Sequence, residues 1–363
     1  MTHVADFDRM TCPTPRNQYE RVLLGHGSGG KLSADLIQRV FLAELGNDVL
    51  LALEDSATLD LGSPDAASGQ HRGGPRIAFT TDSFVVKPLF FPGGDIGKLA
   101  VHGTVNDLAV SGATPRFLSA AFILEEGFSI ESLRRIVVSM REACVEAGVT
   151  LVTGDTKVVD RGKGDEVFIT TTGIGVHEVN HHLSIHHARP GDRIIVSGTI
   201  GDHGMTIMST REGIEFETAL QSDTAALNGL TRAMLEACPS IRVMRDPTRG
   251  GVSSTLNELA AASEVGVALD ESAIPLRPEV HSACEMLGLD PMYVANEGKL
   301  IVVVPEPDCQ SLLQVMKQHP LGRDAAVIGH VVADHPGMVV MRSLIGGQRV
   351  VTMLAGEQLP RIC

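Results

Sequence analysis

Apolar residues recur every three or four positions from Ile130 to Ala147, with charged residues between them, which predicts a helix half sunk in a core and closed by Gly148. A second helix is expected over Ile96–Val110, stopped at Ser111-Gly112, and a third from Ser33 to Leu45. Continuous apolar runs at Ile77–Thr81, Val149–Thr153 and Val167–Val176 predict buried strands, and Tyr19–Leu24 a short one. The stretch Gly62–Pro75 is polar and glycine-rich, hence a loop. After Pro190-Gly191-Asp192 the pattern restarts, with strands at Arg193–Ser197, Lys299–Val304, Val327–Val332 and Met338–Met341 and helices at Ser253–Ser263 and Cys309–Gln318. The closing AGEQLPRIC has no periodicity and is expected to be a mobile tail.

Strands and helices interleave irregularly, so the expected class is α/β or α+β in two similar halves. The divisions are a leader and glycine-rich lid over 1–48, an N-terminal domain over 49–188, a C-terminal domain over 189–353 and a tail over 354–363. A chain of 363 residues suits two domains. Aromatics are only 4%, without Trp, so Val, Ile, Leu and Ala must fill the cores.

The net charge of −14, with no Lys/Arg run longer than two, argues against a nucleic-acid partner. The N-terminus lacks the apolar stretch of a signal peptide, and no 18 apolar residues run together, so no membrane span is expected. Six cysteines without a CxxC pair read as reduced, cytoplasmic thiols.

Gly25-x4-Gly30-Lys31 imitates a phosphate-binding loop between a strand and a helix. A true P-loop needs Ser or Thr directly after the Lys, and here that residue is Leu32. Gly27, Gly29, Gly30 and Lys31 are therefore expected near phosphates as a lid; the bland reading is a flexible loop. Helix 96–110 carries Ile96, Ala100, Gly103, Asp107 and Val110 on one stripe, which turns Asp107 inward. A buried carboxylate is paired or binds a cation, and Asn106 beside it adds an oxygen donor.

Asp82 and Asp155 each follow an apolar run, in TTDS and TGDT, and Asp55 another, in LEDSA. One such Asp is usually a turn former; several at strand and helix ends suggest a shared Mg²⁺ site. Lys157 could reach a phosphate or carbonyl oxygen there. Arg245-Asp246-Pro247-Thr248-Arg249-Gly250-Gly251 precedes a helix start suited to an anion, a weak signal taken alone. Glu297, directly before the strand LIVVV, is a candidate base. The tract His177–His187 looks like a metal tract but lies where polar linker residues are expected. Cys363, last in the sequence, is suited to carrying a covalent group.

GHGSGGK, EDSA, TTDSFVVKPLFFPGGDIGKLAVHGTVNDLAVSGA, GDTKVV, DPTRGG, NEGKL and the terminal PRIC together resemble the HypE family. That family belongs with aminoimidazole ribonucleotide synthetase, thiamine-monophosphate kinase and selenophosphate synthetase, which share the acidic motifs but lack the terminal Pro-Arg-Ile-Cys. The resemblance spans about Leu24 to Cys363. It implies a two-domain PurM-like fold, with an N-terminal mostly antiparallel sheet and a C-terminal α/β domain, a homodimer, and ATP with Mg²⁺ between the halves. It further implies that the carbamoyltransferase HypF loads a carbamoyl group onto Cys363, that ATP phosphorylates its oxygen, and that loss of phosphate leaves a thiocyanate. The cyano group then passes to iron on a HypC–HypD complex, toward a [NiFe] hydrogenase.

Phosphorylation turns a poor leaving oxygen into a good one, and removal of the N–H protons needs a base. Glu297 is the first choice, with Lys157 polarising the oxygen or relaying protons. Asp55, Asp82, Asp107 and Asp155 would hold Mg²⁺ on the ATP phosphates. A sister-type kinase would not need Cys363, and a nucleotide-switched metallochaperone would use the histidines. The longer loop at Ser63–Pro75 and the His-rich joint depart from the family's usual shape without touching a motif.

Overall fold

A computed structural model of the chain describes residues 21–64, 71–72, 74–179, 181, 183–213, 220–354 and 361–363. The start of the expected Tyr19–Leu24 strand and half of the 62–75 loop lie outside them. Leu24–Gly27 forms a 3-10 turn, and helix runs from Lys31–Leu36 through a wide turn at Ile37–Phe41 to Leu42–Leu45.

The first half is built on a five-stranded sheet. Its strands are β1 (Ala57–Asp60), β2 (Arg76–Phe84), β3 (Thr114–Glu125), β4 (Thr150–Val159) and β5 (Val167–Val176), in the order β1-β2-β5-β3-β4. All pairings are antiparallel except β3 with β4. Helix α1 (Ile96–Val110) and helix α2 (Ile130–Ala147) cover one face. Both coincide with the periodicity. Asp95 caps α1 by accepting from the N–H groups of Gly97 and Lys98, at 2.7 and 3.0 Å.

Thirteen of the 15 residues of α1 are buried, so it is a central helix with no wet face rather than an amphipathic one. Strand β3 was not expected from the sequence. It opens on Thr-Pro and mixes Ser and Ala into its run, which blurs any alternation.

The second half holds a seven-stranded sheet: β6 (Arg193–Val196), β7 (Val243–Arg245), β8 (Gly266–Asp270), β9 (Ile301–Val304), β10 (Ala326–Val332), β11 (Val339–Arg342) and β12 (Gln348–Val350). The order is β7-β9-β6-β10-β8-β11-β12. Helices α3 (Asp202–Glu212), α4 (Asn228–Ala237), α5 (Gly251–Ala262), α6 (Pro278–Leu287) and α7 (Glu306–Gln318) complete it.

The halves are fastened along α1. Asn106 accepts from the N–H of Leu227 at 2.8 Å and donates to the carbonyls of Ala225 and Glu297 at 3.0 and 3.3 Å. Glu54 accepts from Ser184 and from the N–H of Ile185, at 2.6 and 3.1 Å, which ties down the linker. The histidines here serve the same joint. His186 sets its ring nitrogens 2.9 Å from the carbonyl of Ala262 and 3.3 Å from that of Ala52, and His177 lies 3.2 Å from the Thr58 hydroxyl. Among the described residues no three His, Cys, Asp or Glu are grouped to hold a metal ion.

Candidate active site

Strand β2 turns Ala78, Thr80, Asp82 and Phe84 toward α1, because successive residues of a strand face opposite sides. There Thr80 donates to Asp107 at 2.7 Å. A methyl group on Gly103 would touch Phe84 and approach Asp82, so glycine lets the strand and helix come this close. Asp246, just past β7, joins them from the other half. Burial raises all three carboxyls, and Asp246 and Asp82 raise Asp107 further. Asp246 is pushed up to about 6. This is a cluster of like charges short of cations.

The end of the chain is seated beside this cluster, not exposed as expected. The N–H of Val85 donates to the carbonyl of Cys363 and that of Lys87 to the carbonyl of Arg361, both at 3.2 Å. Arg361 donates back to Val85 at 3.2 Å and pairs with Asp165. Ile362 is 3% exposed and packs into the core of the N-terminal half. His203, wholly buried on α3, sets Nε2 2.8 Å from the Ile362 carbonyl. Cys363 is thereby left half-buried, its thiol raised by burial and facing Glu297.

Glu297 is 3% exposed, and its Oε1 has no hydrogen-bond partner among the described residues. Burial, then Asp223, Asp246 and Asp82, hold its carboxyl well above the usual range, while Arg249 opposes them. The loop is fixed from behind. Asp223 accepts from the Glu297 N–H at 3.1 Å and from Lys299 at 3.0 Å, and Asn296 accepts from the N–H of Gly201 at 2.8 Å.

Three residues named from the sequence stand elsewhere, and a fourth is paired at the edge of the cluster. Asp155 lies in the middle of β4, in register with Ala121, Thr170 and Ser83, on the face opposite Asp82. Lys157, two residues on, shares that face and pairs with Asp155 at 2.9 Å, both exposed. Within one chain neither can join Asp82, and Lys157 is not beside Glu297. Asn106 spends its amide on the joint between the halves and offers no free oxygen. Asp55 borders the cluster: its carbonyl accepts from Thr80 at 3.1 Å and its charge raises Asp107, while its carboxylate sits 3.0 Å from Arg245, which also approaches Glu258 at 3.3 Å.

The glycine-rich segment does reach the cleft. Gly29 has φ +73°, and a methyl there would collide with Arg249; Gly30 lies against the Leu354 carbonyl, which accepts from the Lys31 N–H at 2.8 Å. Ser33 accepts from the Gly29 N–H at 3.0 Å, so its hydroxyl shapes the loop. Asp246, Arg249 and Asp223 were missed as site residues. The DPTRGG motif contained a signal for the first two; Asp223 lies in no motif at all.

Two sheet-based halves enclosing a carboxylate-lined cleft define the class of AIR synthase related proteins. Residues 58–177 match the family model "AIR synthase related protein, N-terminal domain", and 189–341 match its C-terminal counterpart. The carbamoyl dehydratase HypE of Azotobacter vinelandii is 57% identical over 338 residues, covering 93% of this chain and 96% of that protein. That of Cupriavidus necator is 53% identical over 343 residues, covering 94% and 95%. The crystal structure of a HypE–HypF complex aligns with TM-score 0.81 at 48% identity, over 88% of this chain and 99% of that one. HypE in complex with ATP gives 0.77 at 49%, over 94% and 100%. The chain belongs to the HypE family of carbamoyl dehydratases.

Proposed function

We propose that this protein uses ATP to dehydrate a carbamoyl group on the Cys363 sulfur to a thiocyanate, which supplies cyanide to the iron centre of a [NiFe] hydrogenase. The observation that carries the reading is the Cys363 thiol facing the buried Glu297 carboxyl at the edge of an acidic cleft. The carbamoyl oxygen attacks the terminal phosphorus of ATP as the bond to the β-phosphate oxygen breaks, releasing ADP. The phosphate then leaves with the carbon–oxygen electron pair, and the two N–H protons are lost. Glu297 takes one of these protons, and the departing phosphate carries away the other. The raised proton affinity of Glu297 suits a donor as weak as an amide nitrogen.

Asp82, Asp107 and Asp246 are not drawn together tightly enough to form a finished metal site by themselves, but they would hold a Mg²⁺ ion arriving with the nucleotide, because hard oxygen donors face one another there without enough positive charge. The ion would supply charge neutralisation on the nucleotide phosphates. Gly27, Gly29, Gly30 and Lys31 would cover them.

We also place Asp155 and Lys157 at the site of a second copy. Their sheet face bears the exposed Phe79, Phe117 and Ile123, and Leu151 and Val152 lie exposed on the edge strand β4, apolar surface that a homodimer would bury. A monomer by sedimentation at micromolar concentration would refute this arrangement. HypF would load Cys363 and a HypC–HypD complex would take the cyanide, in the cytoplasm, where the free cysteines stay reduced.

The test is mass spectrometry of the tail peptide after incubation with ATP and a carbamoyl donor system. Loss of one water from carbamoylated Cys363, dependent on ATP, is the expected result; a carbamoyl group that persists with ATP present refutes the reading.

A further inference from the structure

The groups that close around Cys363 are nearly all acidic or neutral. Glu297, Asp82, Asp107 and Asp246 contribute negative charge; the Lys299 and Arg245 cations are bound to Asp223 and Asp55. One cation is placed differently. Arg249, in the loop before α5, lies 4.0 Å from Asp82 through Nη2 and donates through Nη1 to the Gly27 carbonyl at 3.2 Å. It lines one small void together with Ser28, Leu354 and Ile362. A single guanidinium thus meets the phosphate lid, the acid cluster and the seated tail.

We infer that Arg249 is a further catalytic residue of the reaction proposed above, on which this inference rests, and that it clamps the phosphoryl group in transit from ATP to the carbamoyl oxygen. During transfer, negative charge spreads over the equatorial phosphoryl oxygens and onto the β-phosphate oxygen that departs. A planar fork with several N–H donors can span two such oxygens, which a Lys ammonium cannot do. The carboxylates around Arg249 would repel the incoming phosphate if left unopposed, so a cation is needed where phosphate and tail meet. Backbone crowding supports a fixed position. A side chain on Gly29 would strike Arg249 Cβ and its carbonyl, and one on Gly250, at φ +79°, would strike Ser254.

The experiment uses full-length protein carbamoylated on Cys363 with cyanate, which adds across a thiol to give the S-carbamoyl group. Single-turnover loss of water at saturating Mg²⁺–ATP is followed by mass spectrometry of the tail peptide, and the Kd for ATP is measured separately. Arg249→Met is expected to slow dehydration by about 100-fold, with the Kd for ATP changed less than fivefold. Arg249→Lys keeps the charge without the fork and is expected to lose about tenfold; it decides the matter if the Met variant does not fold. Dehydration by the decisive variant within threefold of the parent rate, or a rate restored by raising ATP, overturns the assignment. If the unsubstituted protein binds ATP yet never loses water, the underlying reading falls, and the role of Arg249 with it.

Discussion

His203 Nε2 lies 2.8 Å from the main-chain oxygen of Ile362, with Nδ1 2.8 Å from the Ser222 hydroxyl. Burial lowers the pKa of this histidine, so the ring is neutral and carries its proton on Nε2, toward the tail. His203 thus belongs to the C-terminal half but holds a residue packed into the N-terminal core. His203→Ala removes a hydrogen bond worth about 1 kcal/mol, near fivefold in an opening equilibrium. Alkylation of Cys363 should speed up by about that factor at unchanged secondary structure. An unchanged alkylation rate would show that Ile362 and Arg361 hold the tail without it.

Glu297→Gln keeps size and removes basicity. It should bind ATP and accept the carbamoyl group yet accumulate carbamoylated Cys363, because losing a positioned base costs about 10²–10⁴-fold in rate. Mass spectrometry distinguishes the two tail peptides by one water. Normal dehydration by a folded variant would move the base to Lys157 of a second copy or to a phosphate oxygen.

Asp82→Asn and Asp246→Asn each remove one of several mutually repelling carboxylates. Titration calorimetry with Mg²⁺ present should show ATP bound at least about tenfold more weakly. The melting temperature should hold or rise, since a like charge has been taken away. Weaker binding together with a large drop in melting temperature would mean these side chains serve the fold.

Asp202, wholly buried on α3, accepts from Thr199 at 2.5 Å and lies 3.3 Å from Arg277. Burial, then Asp223, raise its carboxyl from 3.8 to about 6. A group that binds its proton more tightly when folded stabilises fully below its unfolded pKa and loses that contribution as pH rises through the folded one. Between pH 4 and 7 the stability advantage of the parent over Asp202→Asn should therefore shrink, by on the order of 3 kcal/mol. Urea unfolding at both pH values measures it, and a difference independent of pH would show that the carboxyl does not titrate there.

The sequence by itself determined what rests on short-range spacing. Helices Ile96–Val110 and Ile130–Ala147 and strand Val167–Val176 were read to the residue, because turn periodicity and caps act within a few positions. Asp82, Asp107, Glu297 and Cys363 were named because their neighbours make an unusual local pattern. Only the tertiary structure decided which of them meet. Asp82 and Asp155 stand in look-alike motifs, yet the register across β2, β5, β3 and β4 turns them to opposite faces. That register is a long-range pairing no local window contains. Asp246 and Arg249 gained their place when β7 was set against β9, a strand of three residues too short to leave a pattern. The tail, aperiodic in sequence, is seated because Ile362 finds a core and His203 a carbonyl, 159 positions apart along the chain.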